Sequence, residues 1–271
     1  MKHLFSGFDK IKKLLENKFI LLLLDYDGTL TPIAQTPKNA LIPGATKELL
    51  RRLSGIRYCR LCIISGRSLK GIKKAVGIKG AIYSGNHGLE IEGPRIKFRA
   101  PVPSASKPVI RKIYKDLAGR LSGIKGVLIE DKGLTISVHY RLVAKKDQRE
   151  FLSIFFKITA PYAARDKIRV DPGKKVYEIK PPVRWDKGKA SLWLLARERW
   201  ILRGKKVLPV YIGDDSTDED AFRALKGKGL TIFVGKSLRS GADYYLKDTW
   251  EVIKFLRLIP GLTRGQLWPN L

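Results

Sequence analysis

The sequence predicts an α/β protein: a parallel sheet with helices on both faces, interrupted by an inserted α+β unit. Three observations carry this. Short apolar runs alternate with helix-length amphipathic stretches at both ends of the chain. The middle reads helix–strand–strand, twice, which suits an antiparallel sheet with helices on one face. Proline-rich segments bracket that middle, Pro101-Val102-Pro103-Ser104 before it and Pro181-Pro182 after it. The expected division is a core of residues 1–100 and 183–271 with an insertion at 101–182.

Residues 8–16 are expected to form a short amphipathic helix, and Phe19–Leu24 a buried strand. Pro43-Gly44 starts a helix through about Leu53, with proline near its first turn. Cys59–Ile64 is the next strand, Ser65-Gly66-Arg67 a turn, Ser68–Val76 a helix and Ala81–Ser84 a third strand. Gly88–Glu92 and Arg95–Ala100 make a hairpin around Gly93-Pro94. In the insertion, a helix over Ser106–Leu121 precedes strands at Gly126–Glu130 and Leu134–Tyr140. A second helix over Lys146–Thr159 precedes strands at Ile168–Val170 and Lys175–Ile179. The parallel pattern then resumes: helix Trp185–Ile201, strand Val207–Ile212, helix Thr217–Leu225, strand Leu230–Val234, a short strand at Tyr244–Leu246 and a helix over Thr249–Leu258. From Pro260 no pattern continues. Trp193, Trp200 and Trp250 fall in helical patterns and are expected in the core.

Composition limits the function classes. The 271 residues suit one large domain or two modest ones, and 44% apolar content argues against disorder. The longest apolar run is the six residues Phe19–Leu24, whereas a membrane-spanning helix needs about 20 and a signal-peptide core about 7–15. The expectation is a soluble, cytoplasmic protein with no membrane partner. Cys59 and Cys62 have C-x-x-C spacing, but residues three apart on a strand point to opposite faces, so the plain strand reading wins over a redox or zinc site.

The charge is the unusual number: 54 Lys+Arg against 25 Asp+Glu, a formal +29. Such an excess raises anionic partners, nucleic acid among them. It is diffuse, however, at +12 over residues 1–100, +11 over 101–185 and +6 over 186–271, with no basic block and no zinc-finger spacing. No specific nucleic-acid partner is expected.

The scarce acids carry more information. Seven of the 25 fall in two segments, Asp25-Tyr26-Asp27 and Asp214-Asp215-Ser216-Thr217-Asp218-Glu219-Asp220. Packed like charges are costly unless they hold a cation or stay in water. Both clusters follow apolar strands, and ligands of open α/β sheets bind at the carboxyl ends of strands. The two clusters therefore suggest one shared metal site. An aspartate at a strand end can act as a nucleophile without prior deprotonation, and a second carboxylate two residues on can serve as acid and then base. For Asp25-x-Asp27 alone, an acidic turn after a strand is an equal reading.

Four segments together resemble the haloacid dehalogenase superfamily of phosphatases. They are Asp25-Tyr26-Asp27-Gly28-Thr29, Ile64-Ser65-Gly66-Arg67, Lys187 in Trp185-Asp186-Lys187-Gly188-Lys189, and Gly213-Asp214-Asp215-Ser216-Thr217-Asp218. Further segments resemble the trehalose-6-phosphate phosphatases within it: Asn86-His87-Gly88-Leu89-Glu90, Glu130-Asp131-Lys132-Gly133-Leu134, Ser137-Val138-His139-Tyr140-Arg141 and Glu178-Ile179-Lys180-Pro181-Pro182. The resemblance runs from about Leu21 to Val234. Ser216 departs from it, standing where many relatives have a larger polar or basic residue.

The resemblance implies a Rossmann-like core with the insertion as a substrate-specificity cap. It implies hydrolysis of trehalose 6-phosphate through an aspartyl-phosphate, with Asp25 as nucleophile and Asp27 as acid and base. Ser65 and Lys187 would hold phosphoryl oxygens. Magnesium would be bound by Asp25, the Asp27 carbonyl and Asp214, with Asp218 and Asp215 in support. Substrate-binding candidates are Arg67, Asn86, His87 and Gly88 from the core, and Glu130, Lys132, Arg141 and Glu178 from the cap. The partner is a small sugar phosphate; a monomer is expected, and association with a trehalose-6-phosphate synthase stays open. Sucrose phosphate, or a mannosylglycerate or glucosylglycerol phosphate, remains as an alternative substrate. A basic nucleic-acid-binding protein with a vestigial phosphatase core is the rival from another class. Without the resemblance, Glu130–Gly133 reads first as a polar hairpin turn; His139, within an alternating strand pattern, reads as an ordinary strand residue. Asp186 reads as a helix cap, and Asp243 and Asp248 as surface or cap residues.

Overall fold

The computed structural model describes residues 1–36, 39–237 and 239–262. The chain divides into two compact units: Met1–Arg99 with Trp185–Leu271, and Ala100–Arg184.

In the first unit, β1 (Lys2–His3) leads to α1 (Phe8–Leu15), β2 (Phe19–Leu24), α2 (Gly44–Ser54), β3 (Cys59–Ile64), α3 (Leu69–Val76), β4 (Ile82–Gly85), β5 (Glu90–Gly93) and β6 (Ile96–Arg99). The second unit contains α4 (Ser106–Arg120), β7 (Leu128–Asp131), β8 (Ile136–His139), α5 (Gln148–Ala163), β9 (Arg169–Gly173) and β10 (Val176–Lys180). The chain then returns to the first unit for α6 (Lys187–Ile201), β11 (Val207–Gly213), α7 (Glu219–Leu225), β12 (Leu230–Val234), β13 (Tyr244–Leu246) and α8 (Thr249–Leu262).

The first unit holds a nine-stranded sheet in the order β1-β13-β12-β11-β2-β3-β4-β5-β6. Pairing is parallel from β1 to β4 and antiparallel across β4-β5-β6. Strand order reverses between β2 and β11: the chain runs outward one way through β3 and β4 and the other way through β12 and β13. Such a switch point opens a crevice at the strands' carboxyl ends. Every residue of β2 is buried, which explains its unbroken apolar run. Ile20, Leu22 and Leu24 join the core packed by α1, α2, α3 and α8. Phe19, Leu21 and Leu23 join the core packed by α6 and α7.

Local chemistry sets the helix starts that matter for the site. Ser68 caps α3, its hydroxyl accepting from the Gly71 amide. Asp186 caps α6, accepting from the Lys189 amide at 2.8 Å, so α6 begins at Lys187 and not at Trp185. Asp248 accepts from the Glu251 amide at the start of α8.

The second unit has a four-stranded antiparallel sheet, β7-β8-β10-β9. Its core is built from Ile110, Ile113 and Leu117 of α4, Phe151 and Phe155 of α5, and Ile136, Val138 and Ile179 of the sheet. The alternate strand residues point the other way: Glu130, Ser137, His139, Glu178 and Asp171 are polar, while Leu128 and Val176 beside His139 are apolar.

Three expectations need correction, and one strand was not expected at all. Lys2–His3 forms an edge strand on β13, a pairing too short to show as an apolar run. The last helix extends to Leu262 with Pro260 inside it; the expected unpatterned tail beyond it lies outside the described residues. β9 starts one residue later than expected and runs through Pro172-Gly173. Trp200 and Trp250 are not core: they are 70% and 67% exposed, because each lies on the outward side of its helix. Trp193 does pack against the α6 side of the sheet.

No helix among the described residues is long and apolar enough to cross a membrane.

Candidate active site

The first unit gathers its acids at the switch point. Asp25 follows β2 directly, and its amide donates to the Ile212 carbonyl of β11 at 2.9 Å. Asp214 follows β11. Asp25, Asp214 and Asp218 are all buried, each with a carboxylate oxygen within 4.8 Å of the others. Lys187, the first residue of α6, reaches into the cluster. Its ammonium donates to Asp25 at 2.8 Å and to Asp218 at 2.7 Å.

Burial pushes the Asp25 carboxyl well above its ordinary range; Lys187 works against this, and Asp218 and Asp214 add to it. Burial works to lower Lys187, but Asp218 and Asp25 outweigh it and hold the lysine charged. Three buried carboxylates around one ammonium leave negative charge uncompensated. A hard divalent cation fits that deficit and those oxygen donors.

Asp218 is the scaffold of the cluster. One oxygen accepts from Lys187 and from the Tyr211 hydroxyl, each at 2.7 Å. The other accepts from the amides of Asp214 and Asp215, at 3.0 and 2.9 Å. It thereby folds the loop that presents Asp214. Asp215 is not part of the cluster: its carboxylate accepts from the Ser216 amide at 2.6 Å and turns to the surface.

Gly28 closes the site from the β2 side. Its φ is +90°, and a Cβ there would lie 2.3 Å from the Asp214 carboxylate. Only glycine allows both the left-handed turn and that approach.

Asp27 faces a different partner. Arg67 donates to both of its oxygens, each at 2.7 Å. The guanidinium also lies over the Tyr26 ring, 4.9 Å from its centroid. The Arg67 amide donates to the Ser65 hydroxyl at 3.1 Å, at the buried end of β3.

A strained turn packs against this segment. Asn86, His87 and Gly88 all have positive φ, +51°, +56° and +101°. For non-glycine residues such backbone costs about 1–3 kcal/mol each. It is held by the Asn86 amide on the Arg67 carbonyl at 2.7 Å and the His87 amide on the Ser65 carbonyl at 3.0 Å. The Asn86 side chain donates to Glu90 at 2.9 Å. His87 lies so close that a Cβ on Gly66 would fall 2.6 Å from its ring. The Trp185 indole donates to the Gly88 carbonyl at 2.7 Å.

In the second unit, the sheet face opposite α4 and α5 carries a polar row. Glu130, Ser137, Glu178 and Asp171 lie side by side in register on β7, β8, β10 and β9. Lys132 donates to Glu178 at 3.0 Å. His139 approaches Glu130 at 3.8 Å. Burial works to raise Glu130, but His139 and Lys132 outweigh it and hold the carboxyl below its ordinary value. Arg141 does not join this row; it is exposed and donates to the Lys174 carbonyl at 2.8 Å.

Three residues escaped the sequence reading. Tyr211 sits in an apolar strand run, and nothing in that run marks its hydroxyl as a partner of Asp218. Trp185 carries no motif signal apart from its neighbours. Ser137 belongs to a quoted segment, yet only the register shows it between two glutamates.

The trehalose-phosphatase family model matches residues 23–249. The chain is similar to probable trehalose-phosphate phosphatase D of Arabidopsis thaliana, 35% identical over 264 residues, covering 92% of this chain and 69% of that protein. It resembles in structure the C-terminal domain of Candida albicans trehalose-6-phosphate phosphatase, with a TM-score of 0.77 at 25% identity over 93% of this chain and 98% of that one. A haloacid dehalogenase-like hydrolase from Bacteroides thetaiotaomicron shares the fold at 16% identity, with a TM-score of 0.61 over 89% of this chain and all of that one.

Proposed function

The chain belongs to the trehalose-phosphatase family, and we propose that it hydrolyses trehalose 6-phosphate to trehalose and phosphate through an aspartyl-phosphate on Asp25. The observation that carries the chemistry is the Asp25–Lys187–Asp218 contact at the switch point, with Asp214 beside it.

In the first step a carboxylate oxygen of Asp25 bonds to phosphorus as the bond to the sugar oxygen breaks. Asp27 gives a proton to the departing oxygen. In the second step Asp27 takes a proton from water, whose oxygen bonds to phosphorus and releases Asp25 and phosphate. Ser65 and Lys187 hold phosphoryl oxygens through both steps. Magnesium, bound by Asp25, the Asp27 carbonyl and Asp214, would supply further neutralisation of phosphoryl charge. Asp218 supports that site by fixing the loop, and Asp215 contributes its amide, which donates to Asp218.

Both Asp27 oxygens accept from the Arg67 guanidinium, so both are engaged while the pair holds. The acid step therefore requires the pair to part. An incoming phosphoryl dianion competes for Arg67, which gives that residue its substrate-binding role. Asn86, His87 and Gly88 line the same segment. Glu130, Lys132 and Glu178 are the groups proposed to recognise sugar hydroxyls, which both donate and accept; Arg141, held on the Lys174 carbonyl, stands apart from them. In this reading the second unit serves as the specificity cap.

The test is phosphate release with magnesium from trehalose 6-phosphate, sucrose phosphate, mannosylglycerate and glucosylglycerol phosphates, and a small aryl phosphate. Trehalose 6-phosphate is expected to have the highest kcat/KM, and EDTA to abolish release. A higher value for another sugar phosphate overturns the substrate assignment, and full activity in EDTA overturns the metal requirement.

A further inference from the structure

The polar row of the second unit contains a group with no role so far. Ser137 is completely buried on β8, and its register partners on the two sides are Glu130 and Glu178. A serine hydroxyl has one proton to give. It gives it to Glu178, in a short hydrogen bond to the same oxygen that accepts from Lys132.

Two carboxylates flanking one strand repel, and the Glu178 charge does work to raise Glu130. Lys132, on a flexible side chain, also acts on the Glu130 charge. The Ser137 bond goes to Glu178. It comes from the middle of a strand, whose backbone is bonded on both sides, so its position is set by the sheet and not by a flexible side chain.

We propose that Ser137 is a positioning residue for sugar recognition, setting the direction in which the Glu178 carboxylate meets the substrate. This rests on the reading of Glu178 as a sugar-binding residue. Ser137 touches no reacting atom, so its loss acts on binding and not on the chemical step. Rotamer precision at a binding carboxylate is held by such supporting hydrogen bonds.

The experiment is a double-mutant cycle of Ser137→Ala and Glu178→Ala, with trehalose 6-phosphate and a small aryl phosphate as substrates. Ser137→Ala is expected to raise KM for trehalose 6-phosphate about tenfold, the worth of one hydrogen bond to a charged group. Its kcat should stay within about twofold, and its KM for the aryl phosphate should not change. Ser137→Thr, which keeps the hydroxyl, should restore most of the affinity. In the Glu178→Ala background Ser137→Ala should have no further effect, because its action runs through Glu178. A merely structural serine would lower both substrates alike and give additive losses, and either result overturns the proposal. A selective loss in Glu178→Ala with wild-type behaviour in Ser137→Ala overturns the role of Ser137 alone. No selective loss in either variant overturns the sugar-binding reading together with it.

Discussion

The residue that ties local backbone to chemistry most tightly is Gly28. Its φ of +90° and the 2.3 Å approach of the Asp214 carboxylate to an added Cβ make it a position where one methyl group is decisive. Gly28→Ala is expected to fold, at a cost of about 1–2 kcal/mol for the left-handed backbone. Its phosphate release should fall by about 100-fold, since a displacement of the order of an ångström at a reacting centre costs that much. The rise in Tm on adding magnesium should shrink in parallel. Wild-type turnover with an unchanged magnesium response would show that Asp214 does not need this approach. Lys187 has the complementary place: its ammonium is bonded to both Asp25 and Asp218, which ties the proposed nucleophile to the loop scaffold.

At the level of the element, β2 and β3 show what a sequence reveals and what it hides. Six apolar residues ending in Asp25 announce a buried strand with a carboxylate at its tip, because only a strand covered on both faces tolerates such a run. The same logic placed Cys59 and Cys62 on opposite faces of β3, and they do lie in the two separate cores. Burial raises both thiols, Cys59 to about 12. Iodoacetamide at pH 8 should therefore label neither cysteine in the folded protein and both after denaturation; rapid native labelling of either would contradict the burial. Exposure was less legible. Trp200 and Trp250 fit a helical period as well as any core residue, and only packing shows that their sides of α6 and α8 face solvent. The site was legible where motifs fall at strand ends and illegible where register decides. Asp27 was readable as a carboxylate, but its clamp by Arg67, 40 residues away in sequence, was not. Ser137 likewise becomes meaningful only once β7, β8 and β10 are aligned.

Across the whole molecule, a formal charge of +29 suggests an anionic partner. Against that excess, the folded chain gathers Asp25, Asp214 and Asp218 in one buried cluster. The exposed lysines and arginines raise the local potential, which favours approach of a phosphate dianion, but that function does not require so large a charge. The division into two units separates tasks: the first carries the carboxylates, lysine and serine proposed for phosphoryl transfer, and the second carries the carboxylates proposed for the sugar. In the proposed mechanism phosphate passes through Asp25. It is tested most directly by acid-quenching the enzyme during turnover of trehalose 6-phosphate with magnesium and mapping the adduct by mass spectrometry. A phosphoryl group is expected on the peptide carrying Asp25, absent in Asp25→Asn together with turnover. An adduct on another residue, or undiminished phosphate release by Asp25→Asn, would contradict it.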